Sequence, residues 1–234
     1  MLYTFINIVA SLAIKLFFNE VTIQNRKKVP QNSPVIFVAN HPNFFMDPLI
    51  VGSCCPRILH FFAKSTIFSS RFINPILDKL NLIPIYRKID DEANMGKNVH
   101  SFIKGYEILE KNGAFLIFPE GISMGRRVLE KIKTGAARIG LEAEARNEFS
   151  LNCCIIPIGI SYSDLVRFRS DIMVRFGEPI FLKNFQKEYH SNEKQTVKSL
   201  TGKIEDALNE LTNYVQSEEV EDIVDGLELV YKME

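Results

Sequence analysis

His41 and Asp47 lie in the run Asn40-His41-Pro42-Asn43-Phe44-Phe45-Met46-Asp47-Pro48, close enough in the chain to act as a pair. An imidazole with a carboxylate on one ring nitrogen is fixed in one tautomer and becomes a stronger base at the other. On a straight helix the two side chains would stand roughly 120° apart, so they meet only if the residues between them turn. The two prolines supply that turn. Pro42 pushes His41 away from helical angles, and Pro48, suited to a first helical position, leaves Asp47 as a natural N-cap. Spacing alone also allows a plainer arrangement, in which Asp47 only caps a helix and His41 only bonds backbone.

A second group follows an apolar run: Phe118-Pro119-Glu120-Gly121-Ile122-Ser123-Met124-Gly125-Arg126-Arg127. Glu120 can accept from hydroxyls, Gly121 permits close backbone approach, and Arg126 and Arg127 can grip phosphate oxygens. Alone, the segment also reads as a turn with solvated charges. Two further runs, Leu82-Ile83-Pro84-Ile85-Tyr86-Arg87 and Ile156-Pro157-Ile158-Gly159-Ile160, are weak by themselves.

The elements that must carry these groups alternate. Short apolar strands are expected at 34–40, 58–63, 81–86, 114–118, 153–161 and 171–176, with helices at 47–55, 95–111 and 133–146 and a helical acidic tail. The pattern predicts an α/β fold with a mainly parallel, mixed sheet covered by helices on both faces. Reactive residues in such sheets gather at the carboxyl ends of strands. Pro157 is expected at an edge or a bulge, since it donates no ladder hydrogen bond. One catalytic domain over 29–187 is expected, with extensions at 1–28 and 188–234.

Composition closes off other classes. A chain of 234 residues with 46% hydrophobic and 24% charged residues can bury a core and is neither disordered nor collagenous. Its four cysteines form the neighbour pairs Cys54-Cys55 and Cys153-Cys154, which suits packed, reduced thiols rather than a disulfide framework or a zinc site. His60, His100 and His190 fall in no ligand spacing, and no metal is expected. Residues 188–234 hold 12 Asp and Glu against 4 Lys and Arg, whereas residues 1–187 hold 24 Lys and Arg against 16 Asp and Glu. A basic body suits an anionic substrate or membrane surface. Nucleic acid is not expected, because no basic run is interleaved with aromatics. Residues 1–18 are almost wholly apolar, with Thr4, Asn7, Ser11 and Lys15 drawing one polar stripe on a helix. Lys15 leaves the run too short to span a bilayer. An amphipathic helix lying in the membrane surface is expected, with Arg26, Lys27 and Lys28 meeting anionic head groups, and a core helix is the alternative.

Taken in order, the four motif segments resemble the glycerolipid acyltransferase superfamily, which includes glycerol-3-phosphate and 1-acylglycerol-3-phosphate (lysophosphatidate) acyltransferases. The similarity runs from about residue 35 to 180 and takes in Lys64, Lys133-Thr134-Gly135 and Arg175-Phe176-Gly177-Glu178-Pro179-Ile180. Five residues between His41 and Asp47, Ile122-Ser123 after Gly121, and Arg167-Phe168-Arg169-Ser170 resemble the glycerol-3-phosphate or dihydroxyacetone-phosphate acyltransferases of the fungal branch. The resemblance implies a membrane-associated enzyme of phospholipid biosynthesis on the cytoplasmic face. It implies no cofactor beyond the co-substrate, an acyl thioester of coenzyme A or a carrier protein, and favours glycerol 3-phosphate or dihydroxyacetone phosphate as acceptor, with lysophosphatidate the nearest alternative within the family. His41 would be general base and Asp47 its orienting carboxylate. Glu120 and Gly121 would position the glycerol backbone, and Arg126 and Arg127, with Arg87, Lys133 and Lys64 next, would hold the phosphate. Two rivals from other classes are a peripheral lipid-binding module, which has no need of both His41 and Asp47, and a metal-dependent hydrolase, which would need further ligands at strand ends.

Overall fold

The structure, a computed structural model, describes residues 2–121 and 129–212. Its strands are β1 (Glu20–Gln24), β2 (Val35–Ala39), β3 (His60–Lys64), β4 (Leu82–Ile85), β5 (Ala114–Ile117), β6 (Cys154–Tyr162), β7 (Asp171–Phe176) and β8 (Ile180–Phe181). The helices are α1 (Leu2–Phe17), α2 (Met46–Cys54), α3 (Asn74–Lys79), α4 (Lys88–Asp91), α5 (Asn98–Glu110), α6 (Gly135–Arg146), α7 (Gln186–Ser191) and α8 (Glu193–Leu211). One sheet has the order β1-β7-β6-β2-β5-β3-β4, with β8 beside β6. Strands β2 to β6 are mutually parallel. β7 and β8 run against β6, and β1, parallel to β7, therefore runs against the parallel block. This is the mainly parallel mixed sheet that the alternating pattern predicts.

β2 shows why the strands are so apolar. All five of its residues are buried, because helices cover both faces of the sheet. Val35, Phe37 and Ala39 join the side packed by α1 and α2, and Ile36 and Val38 join the side packed by α5, α6 and α8. The four cysteines are buried free thiols. Burial pushes Cys54 up to about 11 and Cys55 and Cys154 up to about 12, so they pack as small apolar groups.

Three expectations are corrected by the topology. Pro157 sits at neither an edge nor a bulge: it pairs with Val38 inside the sheet. Its carbonyl accepts from Gly177 N at 2.8 Å, so its missing donor faces the gap where the neighbour of β6 changes from β8 to β7. The same chemistry that keeps proline out of central ladders puts it at that break. Residues 1–28 are not a separate unit, since β1 adds to the sheet edge and α1 packs on α2. Nor is 188–211 an appendage. Val197, Leu200, Ile204 and Leu208 of α8 are core residues, and the end of α8 lies so close to β6 that a Cβ on Gly159 would fall 2.4 Å from the Leu211 carbonyl oxygen. The rest of the acidic tail lies outside the described residues.

Helix α1 carries two apolar faces. Ile14 is buried, and Tyr3, Ile6 and Ala10 share its partly buried side. Phe5, Ile8, Val9, Leu12 and Leu16 are exposed, between 50% and 76%. The polar stripe is the border between the two, with Asn7 and Ser11 half-buried and Thr4 and Lys15 exposed. The core arrangement is thus met on one side of the helix, and the other side is apolar and exposed. Among the described residues no helix is long and apolar enough to cross a membrane.

Candidate active site

The carboxyl edge of the parallel block collects the chain segments that follow β2, β3, β4, β5 and β6. Asn40 ties the end of β2 to β6 from both sides: its Nδ2 donates to the Ile160 carbonyl at 2.8 Å and its Oδ1 accepts from Ile160 N at 2.7 Å. The chain then turns as the prolines require, and His41 Nδ1 meets Asp47 Oδ2 at 2.8 Å. The same oxygen accepts from Asn43 N at 2.8 Å, while Asp47 N donates to the Asn43 carbonyl at 3.1 Å. Asp47 is not the N-cap expected of it. The helix begins one residue earlier, and its carboxylate folds back on the turn instead of onto the helix amides.

Tyr162, at the end of β6, donates its hydroxyl to Asp47 Oδ1 at 2.5 Å. Asp47 is fully buried, and burial pushes its carboxyl above the usual carboxylate range against the pull of His41, Tyr162 and Asn43. Burial and the Asp47 charge hold the Tyr162 phenol far above its ordinary range, so it stays a donor. No spacing rule connects residues 47 and 162, and Tyr162 is invisible until β6 is laid beside β2. His41 itself stacks on Phe118 with ring centroids 3.9 Å apart. With Nδ1 on Asp47, Nε2 is the nitrogen left to take a proton.

Glu120, for which the resemblance implies positioning of the glycerol backbone, is held by two backbone amides. Its Oε1 accepts from His41 N at 2.9 Å and its Oε2 from Glu130 N at 3.4 Å, and the residue is 5% exposed. It clamps the turn that carries His41 to the segment after β5. Burial pushes its carboxyl up to about 7, the two amides pulling down and the nearby charges of Glu130 and Asp47 adding to the rise. Gly121 holds φ +72°, and a Cβ there would fall 2.4 Å from Lys133 Nζ, so the lysine lies across the glycine.

A cavity of about 880 Å³ opens beside the dyad, lined in part by His41, Phe44, Phe118 and Gly121. Part of its wall is apolar, with Ile6 and Ala10 of α1, Leu49 of α2 and Phe61 of β3. Lys64, Arg87, Lys133 and Arg138 line it as well and supply positive charge. Arg87 donates to the Gly121 carbonyl and pairs with Asp90, whose carboxyl is held below its ordinary range first by Arg87 and also by Lys64 and Lys133. Arg126 and Arg127 lie outside the described residues. The structure therefore brings together His41, Asp47, Glu120, Gly121, Lys64, Arg87 and Lys133, and adds Tyr162 and Arg138, which sequence reading missed. His60 shares its Nδ1 with the Ala114 carbonyl at the other end of the sheet, and His100 and His190 are exposed away from the dyad. Among the described residues no three His, Cys, Asp or Glu side chains gather to hold a metal.

In an α/β sheet with a buried carboxylate behind a histidine at its carboxyl edge, the histidine stands where it can take a proton. The chain belongs to the Acyltransferase family, whose profile matches residues 20–161, within the glycerolipid acyltransferase superfamily. It is 32% identical over 116 residues to glycerol-3-phosphate O-acyltransferase 2 of Saccharomyces cerevisiae, covering 49% of this chain and 16% of the yeast protein. It is 34% identical over 110 residues to glycerol-3-phosphate O-acyltransferase 1 of the same yeast, covering 46% of this chain and 14% of that protein. The chain thus spans about a sixth of the length of these two relatives. It is 24% identical over 198 residues to the 1-acyl-sn-glycerol-3-phosphate acyltransferase of Bacillus subtilis, covering 82% of this chain and 88% of that protein. The fold is that of the 1-acyl-sn-glycerophosphate acyltransferase PlsC of Thermotoga maritima, with a TM-score of 0.60 at 18% identity over 87% of this chain and 79% of that one.

Proposed function

We propose that the chain transfers a fatty acyl group from an acyl thioester to the hydroxyl of glycerol 3-phosphate, or of dihydroxyacetone phosphate, in phospholipid synthesis. The observation that carries this reading is the His41–Asp47 dyad opening on a cavity with both an apolar wall and a cluster of basic side chains. His41 Nε2 takes the acceptor's proton as its oxygen attacks the thioester carbonyl. The tetrahedral adduct then collapses, the carbon–sulfur bond breaks, and the thiol leaves with the proton from the imidazolium. Asp47 stays ionised throughout and stabilises the imidazolium, in the manner of the buried aspartate of a serine hydrolase but with the substrate alcohol as nucleophile. The acyl chain lies along the apolar wall, and Lys64, Lys133 and Arg87, with Arg126 and Arg127, hold the phosphate.

A 1-acylglycerol 3-phosphate acceptor is the second reading, favoured by the Bacillus subtilis relative, which matches this chain over most of both lengths. Incubation of the purified protein with labelled acyl-CoA and each acceptor separates them. Labelled lysophosphatidate made from glycerol 3-phosphate is expected. Product from lysophosphatidate alone moves the assignment to the second acceptor, and product from neither removes both. Arg→Ala and Lys→Ala changes at the basic positions should raise the acceptor KM about tenfold to a hundredfold where the side chain grips phosphate, and leave the donor KM unchanged.

We propose further that the protein binds the cytoplasmic surface of a membrane through the exposed face of α1, a reading supported by its apolar side chains. Because the other face of α1 is core, the fair test is Leu12→Glu with Leu16→Glu, which spares Ile14 and should release the protein from vesicles. Unchanged flotation would leave the exposed face without a role.

A further inference from the structure

The loop between β6 and β7, residues 163–170, is built to hold a pattern of side chains away from the body. Its base is stapled: Ser163 N donates to the Asp171 carbonyl at 2.9 Å and Asp171 N to Ser163 Oγ at 2.8 Å. Inside it, Asp164 Oδ1 accepts from Val166 N and Arg167 N, both at 3.0 Å, which fixes a tight turn. The tip then presents Val166, 89% exposed, Arg167, Phe168, 61% exposed, and Arg169. The stapled turn thus holds Val166 outward and Phe168 between Arg167 and Arg169, with more than half of each apolar side chain's surface exposed.

Its position supplies the use. Phe168 packs edge-on to Phe17 at the end of α1, with centroids 5.5 Å apart, and Arg169 N donates to the Phe17 carbonyl at 2.7 Å. Through half-buried Phe17 the loop is fixed at the end of α1, one residue beyond Leu16 of its exposed face, so the exposed side chains of the loop begin where those of α1 end. On its other side the loop holds the catalytic turn, where Asn43 Nδ2 donates to the Leu165 carbonyl at 2.8 Å. Phe44 and Phe45, exposed at 56% and 69%, follow Asn43 directly at the cavity. The basic cluster Arg26 to Lys28, by contrast, follows β1, which runs against the parallel block, so it stands at the opposite edge of the sheet from His41. There Lys28 is paired with Glu178. Arginine beside the apolar patch at the active edge comes from Arg167 and Arg169, while Glu20 and Asp171 sit at the base of the loop and not at its tip.

We infer that residues 166–169 are a second membrane contact, in which Val166 and Phe168 enter the interfacial layer and Arg167 and Arg169 pair with anionic lipid phosphates, turning the mouth beside His41 toward the bilayer. The inference rests on the membrane reading of α1 and adds to it the lipid charge and the orientation. Flotation of the full chain with vesicles of equal phosphatidylcholine and phosphatidylglycerol, and with phosphatidylcholine alone, tests it. Arg167→Gln with Arg169→Gln should weaken partition onto the anionic vesicles about 25-fold, roughly fivefold for each charge, and change nothing on the neutral ones. Val166→Ser with Phe168→Ser should weaken both. If the loop variants bind like wild type while Leu12→Glu with Leu16→Glu does not, the loop is no lipid contact and the α1 reading stands. If all bind like wild type, both fall. Unchanged vesicle binding with a wild-type dimer turned monomer in the loop variants would overturn the inference in favour of self-association.

Discussion

At the amino edge of the sheet, Glu144 of α6 accepts from Leu151 N at 3.2 Å and Cys153 N at 2.6 Å, while at the carboxyl edge Glu120 accepts from His41 N and Glu130 N. Both carboxylates are buried, both are pushed upward first by burial, and both serve a loop rather than a partner charge. Beside Glu144 the same edge has Arg57, whose guanidinium donates to the carbonyls of Pro30, Ser33 and Asn112. The difference lies in what the clamped loop carries. Glu144 closes a turn that only has to enter β6, whereas Glu120 closes the turn that carries His41 over an open cavity. Buried charge is therefore a poor marker of function on this molecule unless the clamped backbone leads to a base.

Substitutions at the two edges should separate along that line. His41→Ala should lower turnover by about 100-fold to 10,000-fold, because a general base is lost, in a protein that still folds but melts lower, since Phe118 loses its stacked ring and buried Asp47 a partner. Asp47→Asn should come close to it, since the amide presents a wrong hydrogen to His41 or to Asn43 N; kinetics with a matched thermal melt would check both. Glu120→Gln should lose about tenfold or more in turnover and also change how stability varies with pH. The folded carboxyl at about 7 lies above its ordinary value of 4.5, so the unfolded chain gives up that proton first. Stability is then fullest below about 4.5 and falls as pH rises through about 7, by roughly 2 to 4 kcal/mol. The glutamine variant should show a smaller fall in melts across that window, with only the shares of the other raised carboxyls, such as Asp47 and Glu144, remaining. Glu144→Gln should cost about 1–3 kcal/mol of stability, as a buried amide is left unpaired, and leave kcat and KM where they were; loss of turnover in a well-folded Glu144→Gln protein would break the comparison. Tyr162→Phe should have the smallest effect, a few-fold in kcat. With one donor gone Asp47 is oriented less firmly, so kcat should fall while KM and the melting temperature stay unchanged. A lower melting temperature with an unchanged kcat would make Tyr162 a packing residue.

Much of this frame could be read from the chain before its fold was known. The apolar runs that became β2, β5 and β6 are unambiguous because strands covered on both faces need no polar alternation. The proline-bounded turn placed His41 on Asp47 for the same local reason. What escaped was set by distance along the chain. β1, Glu-Val-Thr-Ile-Gln, is an edge strand of mixed polarity whose signal comes from β7, nearly 150 residues on. Tyr162 and the amide partners of Glu120 are likewise supplied by tertiary placement. The second apolar face of α1 was hidden because one polar stripe borders two faces equally well.

The bond pair between Asn40 and Ile160 spans 120 residues. Contacts of that separation form late, since the loop entropy they cost is recovered only once neighbouring strands are in register. During synthesis and refolding, the turn with His41 can exist long before β6 brings Tyr162 to Asp47. The full set of bonds on Asp47 is therefore expected to be complete only once β6 has joined β2.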